Sequence, residues 1–118
     1  MKELVDIARQ AMQNAYIPYS EYAVGAALEA PDSTVHTGCN IEVGNFKNTL
    51  HAEEVALAKA VSKGYQEFVA LAITSSSQEG NPPCGMCRQS LTEFCSKHFR
   101  IYVDEGDDIV KHNLGSLL

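Results

Sequence analysis

His51, Glu53, Cys84 and Cys87 are the residues of this 118-residue chain whose types and spacing could do chemistry. The stretch "NTLHAEEVALAKAV" reads as the start of a helix that opens His51-Ala52-Glu53-Glu54. Acids are favourable there because the helix dipole is positive at its N-terminus, but a charged imidazole gains nothing from that field. A divalent metal accounts for His51. In "PPCGMCRQ", Cys84 and Cys87 stand three apart, so at a helix start both sulfurs fall on one side. The same dipole lowers thiol pKa, which makes a soft anionic grip for a metal. Two thiolates rarely complete a zinc site, and His51 can supply the third ligand, leaving one position for water acidified to a pKa of about 7. Glu53 then has the chemistry of a general acid/base beside it. Positions i and i+2 of a regular helix diverge, so His51 and Glu53 can share a cleft only if His51 lies at the helix entry. Taken alone, the cysteine pair fits a thioredoxin-like redox pair or a structural zinc site equally well.

These residues must be positioned by a layered fold. The apolar spacing predicts a first helix over Lys2–Asn14, with Leu4, Ile7, Ala8, Ala11 and Ala15 on one face. Pro18 and Ser20 impose a loop. "YAVGAALEA" and "VHTGCNIE" read as a hairpin around the turn "PDST", with Gly25 allowing another backbone to come close. A second helix spans Leu50–Ser62 and ends at Gly64 in the left-handed region, burying Val55, Leu57, Ala58 and Val61 against a sheet. "FVALAITSS" is a strand, a third helix is predicted over Cys84–His98, and "RIYVDEG" and "DIVKHNL" are two further strands. Helices alternating with strands predict an α/β layered architecture in one domain, residues 1–118.

Composition narrows the partners. The net charge is −6, with no basic stripe, which argues against a nucleic-acid partner. No apolar stretch approaches the roughly 20 residues of a membrane span, and the N-terminus lacks the apolar region of a signal peptide. A cytoplasmic location and reduced cysteines follow as expectations. Asp104, Glu105, Asp107 and Asp108 read as a solvated turn. His36, His98 and His112 read as surface or strand residues, Cys39 and Cys95 as small buried hydrophobes. Glu21 reads as an exposed loop residue with no assigned role, and Arg88 as a group that could orient the thiolates or pair with a carboxylate.

His-x-Glu followed by Pro-Cys-x-x-Cys is the signature of the zinc nucleobase deaminases. With "AYIPYSEYAVGAAL", "TGCNIE" and "PCGMCRQ" in order, the chain resembles the short, single-domain cytidine deaminases from about Ala15 to Leu118. The resemblance implies a three-layer α/β/α fold with a mixed five-stranded sheet. It implies Zn²⁺ held by His51, Cys84 and Cys87, with Glu53 carrying protons while water replaces the amine at C4 of cytidine or deoxycytidine. It further implies that Asn40 and Glu42 hold the ribose hydroxyls, that Tyr22 packs near the pyrimidine, and that the Ala52 backbone reads the base. The substrate would be a free nucleoside, and the assembly a homo-oligomer, usually a tetramer.

The chain departs from the family pattern in three places. The first ligand is commonly cysteine followed by Glu and Arg, where this chain has His51-Ala52-Glu53-Glu54. Neutral imidazole in place of a thiolate removes one negative charge from the centre, and with it the need for the arginine. Val43 stands where a second asparagine is common. Family chains usually continue beyond the Leu117-Leu118 pair, with a tail that can reach a neighbouring subunit's site.

Overall fold

The computed structural model describes residues 2–44, 49–76, 91–96 and 98–117. Its elements in chain order are α1 (Lys2–Met12), β1 (Val24–Glu29), β2 (Val35–Cys39), α2 (Ala52–Ser62), β3 (Ala70–Ser75), β4 (Arg100–Asp104), β5 (Ile109–Asn113) and the short α3 (Leu114–Leu117). The strands make one sheet in the order β2-β1-β3-β4-β5. β3 and β4 run parallel and the other neighbouring pairs antiparallel, so the sheet is mixed, as expected.

Alternation along the central strands builds two cores, because successive side chains leave opposite faces. Ala26, Leu28, Leu71, Ile73, Ile101 and Val103 point one way and pack with Ala52, Ala56, Leu57 and Ala60 of α2. Ala27, Ala70, Ala72 and Tyr102 point the other way, under Leu4, Val5 and Ala8 of α1. The result is the three-layer α/β/α arrangement. Every residue of β3 is buried, which explains why its sequence is a continuous apolar run rather than an alternating one.

Two glycines set how closely the helices lie on the sheet. A Cβ on Gly25 would stand 2.1 Å from the Ala8 carbonyl oxygen, so α1 rests directly on β1. The predicted close approach at Gly25 is therefore present. At Gly38, which the sequence reading did not single out, a Cβ would stand 2.2 Å from the Ala52 carbonyl oxygen and 2.6 Å from the Ala56 nitrogen. The first turn of α2 is thus seated against the backbone of β2.

Several expectations are corrected. α1 ends at Met12, with turns after it, and buries Val5 alongside Leu4 and Ala8. In α2 the buried face is Ala52, Glu53, Ala56, Leu57 and Ala60; Ala58 is exposed, and Val55 and Val61 are half-buried. Gly64 follows that helix at φ +97°, as expected of a left-handed residue closing a helix. Most of the third predicted helix lies outside the described residues. Leu91 and Thr92 are helical, and turns at Glu93 and Phe94 end that helix well before His98. His36 is a strand residue, as one of the two readings had it, but it is buried, 4.6 Å ring to ring from Tyr65. Burial lowers its pKa, with Lys63 acting in the same direction. Cys39 and Cys95 are half-buried, and burial pushes the Cys95 thiol up to about 12.

Asp104 is the largest correction. It belongs to no solvated turn, being 1 % exposed at the end of β4. The Arg9 guanidinium donates to it twice, at 2.6 and 2.9 Å, Thr74 Oγ1 donates at 2.7 Å and the Gly106 N–H at 2.9 Å. The sequence cannot show this pair, whose members are 95 positions apart. Glu105, Asp107 and Asp108 are exposed as expected.

The Arg9 hydrogen bonds, opposed by burial and joined by that from Thr74, bring the Asp104 pKa from 3.8 to about 2. A depressed carboxyl contributes stability that is complete above its unfolded pKa and is lost as pH falls through the folded one. Asp104→Asn is therefore expected to cost roughly 2 kcal/mol at neutral pH. The gap from wild type in urea unfolding should narrow as pH drops from about 4 to about 2. A gap constant over that window would refute the ion pair's contribution. Gly38→Ala is expected to cost ~1–3 kcal/mol by overpacking, read as a lowered thermal midpoint, together with reduced turnover because α2 must shift.

Candidate active site

Three short segments converge beside the start of α2. The Tyr16 N–H donates to the Asn40 carbonyl at 3.0 Å, and the Glu42 N–H to the Tyr16 carbonyl at 2.8 Å. Ile41 and Leu50 exchange backbone hydrogen bonds at 2.9 Å each. That pairing draws residues 49–51 alongside 40–42, so His51 is delivered next to the end of β2.

His51 is the N-cap of α2, with extended backbone at φ −84° and ψ 152°, and the helix proper begins at Ala52. Its N–H donates to Glu54 Oε1 at 3.2 Å, so Glu54 satisfies a donor that the helix start would leave unpaired. Because His51 precedes regular helix geometry, it and Glu53 line one cavity of about 310 Å³. Ser20, Tyr22, Val24, Asn40, Glu42, Thr49 and Ala52 complete the described lining. The volume lies in the usual range of small-molecule sites, about 300–1,000 Å³. Glu53 is 7 % exposed, a carboxylate withdrawn from bulk water in the first turn of a helix, where the dipole favours its charge.

Asn40 and Glu42 are both buried, and both are tied to the chain leading into β1. Asn40 Oδ1 accepts the Val24 N–H at 3.0 Å while its Nδ2 donates to the Tyr22 carbonyl at 2.8 Å. An amide has two donor hydrogens and two acceptor lone pairs, so among the described residues one of each is left over beside the cavity. Glu42 Oε1 accepts the N–H groups of Tyr19 at 3.2 Å and Ser20 at 3.0 Å, and Oε2 accepts the Ser20 hydroxyl. Ser20's hydroxyl and N–H, and then Tyr19's N–H, hold the Glu42 carboxyl below the usual range against the opposing effect of burial. Tyr22 is half-buried.

Of the sequence-predicted site residues, the structure gathers His51, Ala52, Glu53, Asn40, Glu42 and Tyr22 around one cavity. Cys84 and Cys87 lie outside the described residues, as does Arg88. Among the described residues no three His, Cys, Asp or Glu side chains group closely enough to hold a metal. A zinc ion at His51 would need further donors, and the two thiolates at 84 and 87 have the right chemistry. His51 itself fits a ligand's position. Its side chain is 45 % exposed, and its Nε2 lies 3.8 Å from Glu54 Oε1, beyond hydrogen-bond length.

Sequence reasoning missed Ser20, Val24 and Thr49 as cavity residues. Among the described residues the buried Thr49 hydroxyl has no hydrogen-bond partner. No periodic spacing links residue 20 to residue 42, and only the distance of Thr49 from His51, two positions, could have drawn notice to it.

A three-layer α/β/α domain whose second helix opens with His-x-Glu against a carboxylate-lined cavity carries the features of the zinc-type base deaminases. The sequence model for the "cytidine and deoxycytidylate deaminase zinc-binding region" matches residues 1–103, and the chain belongs to that family. It is 42 % identical over 103 residues to the cytidine deaminase of Sporosarcina psychrophila, covering 87 % of this chain and 76 % of that one. It is 42 % identical over 100 residues to the cytidine deaminase of Halalkalibacterium halodurans, at 85 % and 76 % coverage. Among solved structures it is similar to cytidine deaminase from Burkholderia pseudomallei, with a TM-score of 0.93, 33 % identity, and coverage of 99 % of this chain and 94 % of that one. The Mycobacterium tuberculosis enzyme superposes with a TM-score of 0.87 at 38 % identity, covering 99 % and 92 %. The family is described as zinc-binding, and membership in it makes the chain an enzyme of the cytidine deaminase type rather than a thioredoxin-like protein.

Asn40→Ala should remove two buried hydrogen bonds that join β2's end to the lead of β1, costing about 2 kcal/mol in denaturant unfolding. An unchanged midpoint would show that this side chain does not hold the two segments together.

Proposed function

We propose that the protein hydrolytically deaminates cytidine and deoxycytidine to uridine and deoxyuridine, with Zn²⁺ held by His51, Cys84 and Cys87. The observation that carries this reading is the placement of His51 before the first turn of α2, which lets it and Glu53 address one cavity. Zinc, when bound, supplies the acidity that makes water a nucleophile near neutral pH. Glu53 would take the proton released by that water and pass it to N3 of the ring, then take the proton of the new C4 hydroxyl, which becomes the carbonyl, and deliver it to the departing amine. A C4–O bond forms, the C4–N4 bond breaks, and ammonia leaves. Burial beside the helix N-terminus suits Glu53 to this work, since its carboxylate exchanges protons with the reactants in place of bulk water.

Tyr22 packs against the pyrimidine, the Ala52 backbone reads its edge, and the unused donor and acceptor capacity of Asn40 and Glu42 takes the ribose hydroxyls. The described lining carries two carboxylates and no lysine or arginine, which supports an uncharged nucleoside over a phosphorylated one. The net charge of −6 speaks in the same direction against a polynucleotide.

The proposal extends to a cytoplasmic homo-oligomer, a tetramer by family resemblance. Leu57, Ala58, Val61 and Phe94, flanked by Glu54 and Glu93, line an open groove beside α2, the kind of surface subunits cover. Among the described residues no helix is long and apolar enough to cross a membrane.

Glu53→Gln is expected to keep zinc at full stoichiometry while ammonia release from cytidine falls by at least 10³-fold, about what general acid–base catalysis supplies. Release within a few-fold of wild type would remove Glu53 from its role. His51→Ala, Cys84→Ala and Cys87→Ala should each lower zinc content by metal analysis, and full retention in any one would strike that residue from the ligand set.

A further inference from the structure

The Ser20 hydroxyl touches two walls of the cavity at once. It donates to Glu42 Oε2 and accepts the Tyr22 N–H at 3.1 Å, while the Ser20 N–H donates to Glu42 Oε1 at 3.0 Å. Between Ser20 and Tyr22, Glu21 adopts φ +56°, the left-handed region that a residue with a side chain enters at a cost. Ser20 is itself exposed and lends nothing to the core. Its three hydrogen bonds are thus spent on the orientation of cavity residues rather than on packing.

The arithmetic on Glu42 is specific. Two N–H donors fill the lone pairs of Oε1, and the Ser20 hydroxyl takes one of the two on Oε2. Among the described residues one acceptor site is left, and its direction is set by where the Ser20 hydroxyl sits.

We propose that Ser20 is a positioning residue that determines sugar recognition: it fixes the Glu42 carboxylate so that its one unfilled lone pair faces the substrate's ribose hydroxyl. This rests on the reading of Glu42 as a sugar contact. The donors around Glu42 also favour its ionised form, so it meets the substrate as an acceptor only. Without the hydroxyl, the carboxylate can rotate, and part of the substrate's binding is spent on ordering it again.

The test is steady-state ammonia release by the zinc-loaded enzyme from cytidine and from 2′,3′-dideoxycytidine, which lacks the sugar hydroxyls (or its inhibition constant, if turnover is slow). Ser20→Ala, Ser20→Thr and Glu42→Gln are compared with wild type. Ser20→Ala should raise KM for cytidine about tenfold, the scale of one hydrogen bond to a charged group, with kcat within twofold. The dideoxy analogue should shift by less than twofold, and Ser20→Thr, which keeps the hydroxyl, should restore the cytidine KM. Equal shifts for both substrates, a loss confined to kcat, or no shift in Ser20→Ala would overturn the proposal. Glu42→Gln separates the two levels. If it leaves the cytidine KM unchanged, the sugar reading of Glu42 fails; if it raises KM while Ser20→Ala does not, only the role of Ser20 fails.

Discussion

The first turn of α2 lies on the backbone of β2 at Gly38, with no space for even one added carbon between them. That contact determines where a helix begins relative to a sheet edge, and with it which residues of the helix start line the cavity. A residue placed just before the helix can point where a residue inside the helix cannot. His51 uses that freedom, and Glu53 uses the regular geometry that follows. Were the helix to start one residue earlier, His51 and Glu53 would diverge by the twist of a regular turn and no longer share one space.

Around that contact, three polar side chains each meet a backbone partner from another part of the chain or from the helix start. Asn40 serves the lead into β1, Glu42 serves the loop at 19–20, and Glu54 serves the N–H of His51. The cavity wall is consequently stiff before any substrate arrives, which limits the ordering cost of binding. Asp104 performs a comparable task on the far side of the sheet. Its carboxylate joins α1 to the ends of β3 and β4 through Arg9 and Thr74. Taking that charge out of water is tolerable only because four donors surround it.

Much of this was legible in the letters. The hairpin, the continuous apolar run of β3 and the closing Gly64 follow from local patterns, and the lone glycine inside a strand marks the close approach at Gly25 without naming its partner. The need for His51 to stand at the helix entry followed from the i, i+2 spacing alone. What could not be read were pairings across distance. Arg9 with Asp104, Ser20 with Glu42 and the seating of α2 on Gly38 join residues that no periodic pattern links. The buried face of α2 was misjudged for another reason. The helix is rich in alanine all round, so its periodicity is faint, and the sheet selects the small side chains at 52, 56 and 60 over the larger Val55 and Val61.

The described cavity wall draws on residues 20 to 53 alone, whereas β3 gains its parallel neighbour only from residue 100 onward. The two parts of the molecule therefore have different timing during synthesis. β1, β2 and the start of α2 can associate through short-range closure, while the centre of the sheet keeps one edge of β3 unpaired until the distant β4 is made. An apolar strand buried on both faces at the end is an adhesive edge in that interval. The topology that lets the described cavity wall come together from residues 20 to 53 thus leaves one edge of a fully buried strand open until residues 100–103 are in place.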